Sequence, residues 1–177
     1  SLHGQSKDAL SKNRAGAWEY DVMYPAYKCN MTNINAAIGI AQLDRYDGLL
    51  KRRRELNENY RNALEKLGLK VMHHYTDEMT STGHLYLVRI PGASIEDRNA
   101  VIQDMAERGI ACNVHYKPLP MMTAYKNLGF DIKDYPNAYH QYENLISLPV
   151  FSTMTDEQNA YVIENFADIL KRRGLIK

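Results

Sequence analysis

A chain of 177 residues can bury a full core and suits one domain, or a domain with an arm. Its 22 basic and 21 acidic residues almost cancel, which excludes a whole-molecule attraction to nucleic acid or to an anionic membrane. Cys29 and Cys112 show neither metal-ligand spacing nor a disulfide framework, and neither a membrane-length apolar run nor a secretory pattern is visible, so a reducing, cytoplasmic setting is expected.

Residues 1–26 lack helical periodicity and start on Ser1-Leu2-His3-Gly4 without an initiator methionine, so a portion of a longer protein is the expectation. Trp18, Tyr20 and Tyr24 make this stretch an aromatic arm; Trp18 and Tyr20 suit stacking on a flat ligand, plugging a partner groove, or packing in a core or an interface. From Thr32 onward the apolar positions, among them Ile34, Ala37, Ile38, Ala41, Leu49, Leu56, Tyr60 and Leu64, recur mostly at three and four. That is the period of a helix burying one stripe. Thr32 is placed to cap its start and Gly68 to end it. One bridging helix over 32–67, roughly 50 Å long, is therefore expected, with Gly48 a tolerated irregularity inside it. The basic run Lys51-Arg52-Arg53-Arg54, beside Glu55 and Glu58, reads as a solvated helix face rather than a nucleic-acid patch.

Beyond Gly68, Leu69 to Met72 reads as a short strand and His84 to Ile90 as a strong one, stopped by Pro91-Gly92. Ser94 and Asp97 cap a helix whose buried side is marked by Ile95, Val101, Ile102, Met105 and Ala106, with Gly109 at its end. Ile110 to Tyr116 is the next expected strand, closed by Lys117-Pro118-Leu119-Pro120. Short helices follow over Met122 to Asn127 and from Pro136 through Glu143, and Leu145 to Pro149 is a further strand. Thr155 and Gln158 form a capping box for a last helix from Asp156 to about Arg172, with Ile163, Phe166, Ala167 and Leu170 facing inward. The order predicts an α+β fold with a sheet on one side and helices on the other. The domain division read from it is 1–31 as an arm, 32–67 as the long helix and 68–177 as a small domain.

Six histidines raise the question of a metal, yet none pairs at i, i+4 with a carboxylate between, so no metal site is expected. Lys28 and Asn30 precede a helix N-terminus, where free N–H groups and the dipole favour an anion; the alternative is a surface lysine and a capping amide. His115 and Tyr116 end a strand at a Pro-bounded loop. Either both face a cleft, or one ring packs in the core while the other caps the loop.

Several of these pieces recur together, in one order. Leu2-His3-Gly4, Tyr27-Lys28-Cys29-Asn30-Met31-Thr32, Asn35-Ala36-Ala37-Ile38-Gly39, Gln42-Leu43, Val114-His115-Tyr116-Lys117-Pro118-Leu119 and Ser147-Leu148-Pro149-Val150-Phe151 together resemble DegT/DnrJ/StrS-type nucleotide-sugar aminotransferases. The resemblance spans nearly the whole chain. It implies the small C-terminal domain of the aspartate-aminotransferase fold, an antiparallel sheet with helices on one side plus a long N-terminal bridging helix. It also implies pyridoxal 5'-phosphate (PLP) as cofactor, and a homodimer with active sites at the subunit interface. On this likeness Lys28 and Asn30 are cofactor-binding residues, reaching toward the partner's PLP phosphate. Many relatives carry asparagine then arginine at these two positions, so the order here leaves open which one touches phosphate. His115 and Tyr116 are, by the same likeness, substrate-binding residues near the sugar nucleotide.

The family's Schiff-base lysine lies upstream of the His-Gly motif at which this sequence starts, and Lys7, Lys12 and Lys28 do not sit in that lysine's context. No catalytic residue is therefore expected in this chain, and alone it is expected to be inactive. The function implied is transfer of an amino group from glutamate to a keto nucleotide-sugar, for surface polysaccharide, cell-wall or amino-sugar biosynthesis. The alternatives are a PLP-dependent sugar dehydratase of the same family and a non-catalytic interaction module.

Overall fold

The computed structural model describes Gly4 and residues 21–177. Leu2, His3, Lys7, Lys12, Trp18 and Tyr20, singled out in the sequence, lie outside the described residues. The chain divides into two compact units, Ser1–Tyr46 and Asp47–Lys177.

In the first unit, Gly4 anchors a local contact: its carbonyl accepts the Met23 N–H at 2.9 Å. Gly4 sits at φ +79°, and a Cβ there would lie 2.0 Å from the Tyr24 carbonyl oxygen, so both conformation and space demand glycine. Helix α1 spans Asn33–Leu43, and the Thr32 hydroxyl caps it by accepting the Asn35 N–H at 3.2 Å. It carries no charged side chain and no buried residue, with Ile34, Ile38, Ile40 and Leu43 all exposed.

Helix α2 spans Tyr46–Leu64. The single helix expected over 32–67 is thus two, parted at Asp44 and Arg45 rather than at Gly48, which lies inside α2. At the break the Asp44 N–H still reaches Ile40 O, but the Arg45 N–H turns to Gln42 O at 3.1 Å, a bond one residue too short for an α-helix. The apolar stripe changes character at the same point: α1 buries nothing, while α2 buries Leu56, Asn57, Tyr60 and Leu64. A 3-10 turn, Glu65–Leu67, continues α2 to Gly68 at φ +74°. There the Leu69 N–H bonds Leu64 O and the Gly68 N–H bonds Glu65 O, the paired closure that needs a left-handed residue.

Three strands follow in antiparallel order: β1 Lys70–Val71, β2 Tyr86–Arg89 and β3 Leu145–Leu148. Lys70 lies opposite Arg89, and Arg89 opposite Leu145. Tyr86, Val88, Ile146 and Leu148 join the core formed with Leu56, Tyr60 and Leu64 of α2. Helix α3, Ile95–Glu107, adds Val101 and Met105, and α6, Asp156–Arg172, adds Val162, Phe166, Ile169 and Leu170. Both capping boxes form as the spacing predicts, Ser94 with Asp97 and Thr155 with Gln158. On α3, Ala106 is exposed, and the inward place two turns earlier belongs to Arg98.

The strand expected over Ile110–Tyr116 is reduced to one bridge, in which Asn113 and Ser147 exchange both backbone bonds at 3.1 and 2.7 Å. The Asn113 side chain then accepts the Val114 N–H at 2.7 Å, so the next residue's donor is satisfied locally instead of in a ladder. Short helices α4, Thr123–Lys126, and α5, Pro136–Tyr142, complete the second unit.

Arg98 explains how the uncovered edge of β3 is satisfied. Alternation in an antiparallel ladder puts the Leu145 carbonyl on the same edge as Ser147, away from β2. Asn113 serves Ser147; Arg98, 1 % exposed, serves Leu145 O at 3.3 Å and Tyr142 O at 3.2 Å. Its guanidinium also bonds Asn99 and lies 4.7 Å from the centre of the Tyr142 ring.

Candidate active site

The candidate residues fall in both units, Lys28 and Asn30 in the first, His115 and Tyr116 in the second. Lys28 and Asn30 are exposed on the extended segment that leads to the Thr32 cap. The first turn of α1 holds no acidic residue, so its N-terminal N–H groups meet no carboxylate of their own. A cation, an amide and an uncompensated helix start on one short stretch fit a phosphate dianion.

In the second unit, β3 fixes Ser147 between Leu87 on β2 and Asn113 on the returning chain. From that position the buried Ser147 hydroxyl meets His115 Nδ1 at 2.7 Å. The His115 and Tyr116 rings stand edge to face, 4.6 Å apart and at 88°, across a cis peptide. Tyr116 is 73 % exposed, whereas His115 is half-buried. His115 thus neither sinks into the core nor merely caps the loop: it lines a cleft of about 150 Å³ with His84, Asn113, Ser147 and Val150. A larger, mainly apolar cavity of about 480 Å³ lies between Ile110, Phe151, Met154 and Tyr161.

Ser147, His84 and Asn113 belong to this cleft without having been candidates. Ser147 left a signal in the sequence, a lone hydroxyl inside the apolar run Leu145-Ile146-Ser147-Leu148, since a buried strand spends a polar side chain only where a partner waits. Cys112 is no nucleophile, for burial pushes its thiol up to about 12. Among the described residues no three His, Cys, Asp or Glu side chains gather as a metal-ligand set.

The small antiparallel sheet with its packed helices and histidine-lined cleft defines the second unit as α+β. The sequence model of the DegT/DnrJ/EryC1/StrS aminotransferase family matches residues 1–167, and the chain belongs to that family. It is 33 % identical to the spore coat polysaccharide biosynthesis protein SpsC of Bacillus subtilis (strain 168), a match covering 97 % of this chain and 45 % of SpsC. Among solved structures, the putative sugar aminotransferase Spr1654 from Streptococcus pneumoniae in its PMP form is 50 % identical with a TM-score of 0.79, covering 97 % of this chain and 43 % of that one. Its PLP form matches at 48 % and 0.78, over 97 % of this chain and 42 % of that one. Helicobacter pylori PseC, an aminotransferase of pseudoaminic acid biosynthesis, shares the fold at 20 % identity and a TM-score of 0.70, covering 96 % of this chain and 44 % of PseC. The chain therefore spans under half the length of these relatives. The α+β, antiparallel-sheet architecture implied by the sequence agrees with these neighbours.

Proposed function

We propose that this chain forms part of a PLP-dependent sugar aminotransferase that moves an amino group from glutamate to a keto-sugar carried on a nucleotide, for surface polysaccharide, cell-wall or amino-sugar synthesis in the cytoplasm. The observation that carries the reading is the 48–50 % identity, along 97 % of this chain, to a putative sugar aminotransferase seen in PLP and PMP forms. When bound, PLP supplies an electron sink that lets nitrogen pass from one substrate to the other.

Within that reading Lys28 and Asn30 grip the cofactor phosphate, one by charge and one by an amide hydrogen bond. The uncharged helix α1 supports a homodimer, because its exposed Ile34, Ile38, Ile40 and Leu43 are favourable in water only when something covers them. The 1–31 arm and α1 then serve the interface, and residues 68–177 carry the His115–Tyr116 side of the nucleotide-sugar pocket. The test uses an enzyme of the relatives' length that carries this chain. Glutamate and a keto nucleotide-sugar should yield 2-oxoglutarate and an amino-sugar in equal amounts. A deoxygenated sugar product would establish the dehydratase alternative instead, and no turnover by a folded, PLP-loaded protein would leave the interaction module.

A further inference from the structure

We infer that Ser147 is a positioning residue which holds His115 in its Nε2–H form, so that the cleft offers a hydrogen-bond donor and selects an oxygen acceptor on its ligand. The inference rests on the reading of His115 as a substrate contact and adds the tautomer, the direction of the bond and the ligand chemistry.

Ser147 cannot drift: its own N–H and C=O are both bound to Asn113, and its Cα is in register with Leu87. The side chain is buried, the residue being 4 % exposed, and the hydroxyl's hydrogen-bond partner among the described residues is His115 Nδ1 at 2.7 Å. A hydroxyl carries one proton and two lone pairs. Burying a donor without an acceptor costs more than leaving a lone pair unused. The proton of the Ser147 hydroxyl is therefore donated to Nδ1, which must then be the unprotonated nitrogen of a neutral ring. The ring proton resides on Nε2, on the far side of the imidazole from Ser147. Nε2 makes no hydrogen bond among the described residues, and His115 lines the cleft with Asn113 and His84.

An Nε2–H donor beside the Asn113 amide and the His84 ring suits a ligand rich in oxygen acceptors, such as a sugar hydroxyl or carbonyl or a diphosphate oxygen. With the proton on Nδ1 the same ring would present a lone pair at Nε2, which repels a carbonyl or diphosphate oxygen and accepts only from a donating hydroxyl. One hydroxyl on β3 thereby sets the sign of recognition at a residue it only supports.

Nitrogen-15 NMR of the labelled chain reads the tautomer without any turnover. The parent should show the His115 ring protonated at Nε2. Ser147→Ala should mix the two tautomers, and Ser147→Thr, which keeps the hydroxyl, should restore the parent pattern. In an enzyme of the relatives' length, Ser147→Ala should raise the nucleotide-sugar KM roughly three- to tenfold, the worth of one preorganised neutral hydrogen bond, with kcat held. The Ser147→Ala effect should vanish in a His115→Ala background. A parent ring protonated at Nδ1, or an unchanged tautomer in Ser147→Ala, overturns the proposal, and the parent spectrum decides even if the variant does not fold. If the tautomer responds as expected while His115→Ala leaves KM untouched, the ligand-selection part is overturned along with the substrate reading, and the positioning by Ser147 stands.

Discussion

Arg98 gives the sharpest test of the packing argument. It is a buried cation whose hydrogen-bond partners are all neutral; it supplies Leu145 O with the donor a fourth strand would otherwise bring to the edge of β3, and it closes the last carbonyl of α5 at Tyr142. Arg98→Met keeps most of the apolar stem and removes every donor. Two carbonyls, of Tyr142 and Leu145, lose their Arg98 bond, and a buried carbonyl without a donor costs about 1–3 kcal/mol. Removing a cation from a carboxylate-free interior offsets part of this, leaving a net loss of about 2–3 kcal/mol. Arg98→Ala adds a cavity and should lose about 4 kcal/mol. Arg98→Lys keeps a charge but not the fork that reaches two carbonyls, and should do no better than Met. Urea titration followed by circular dichroism measures all three, and the Met variant should melt about 5–10 °C below the parent. A Met variant within ~0.5 kcal/mol of the parent, or more stable, would refute the account, because these two carbonyls would then need no protein donor.

Burial holds the His74 pKa below the ordinary histidine value, with the Glu58 charge opposing weakly, so the unfolded chain takes up this proton first. Stability from a neutral His74 is complete above the unfolded value of about 6.5 and falls as pH drops below it; His74→Phe should flatten the loss of urea midpoint between pH 8 and 5.5, and an equal loss in both proteins would refute this. In an enzyme of the relatives' length, Lys28→Ala or Asn30→Ala should weaken PLP retention about ten- to a hundredfold, one charge-assisted bond's worth, as read by equilibrium dialysis; unchanged retention in both would remove them from the phosphate site. Ile38→Lys places a charge on the exposed apolar face of α1 and should shift sedimentation toward monomer, whereas an unaltered oligomer would free α1 of an interface role.

What was legible in the sequence was mostly local. The capping boxes at Ser94 and Thr155 need only their own first turns, and the apolar runs around Val88 and Ile146 are strands whatever lies beyond them. The tertiary terms were harder to read. Ile110–Tyr116 has the composition of a strand, but the Asn113 side chain competes for the ladder's next donor. Across Asp44-Arg45 the stripe steps five residues, from Ala41 to Tyr46, a gap small enough to pass inside one helix, because a single tightened hydrogen bond shifts the spacing only slightly. Arg98 does not read as a core position, since an arginine is usually solvated; here the unpaired edge of β3 draws it in. At the site, His115 and Tyr116 were visible as a pair, while Ser147 was hidden within a run that reads as plain strand.

The register of the sheet also governs how fast the molecule assembles. Arg89 and Leu145 are neighbours in space, yet everything from Ile90 to Asn144, including α3, α4 and α5, lies on the loop between them. Closing a loop of that size costs about 3–4 kcal/mol of chain entropy before any contact returns it. Helices α3 and α6, capped by their own first turns, can flicker into place early. Pairing of β2 with β3 is then the committing event. Weakening β3 should slow refolding, and so should weakening the cap of a helix already in place at that event, so both kinds of variant would move the folding arm of a chevron plot more than the unfolding arm.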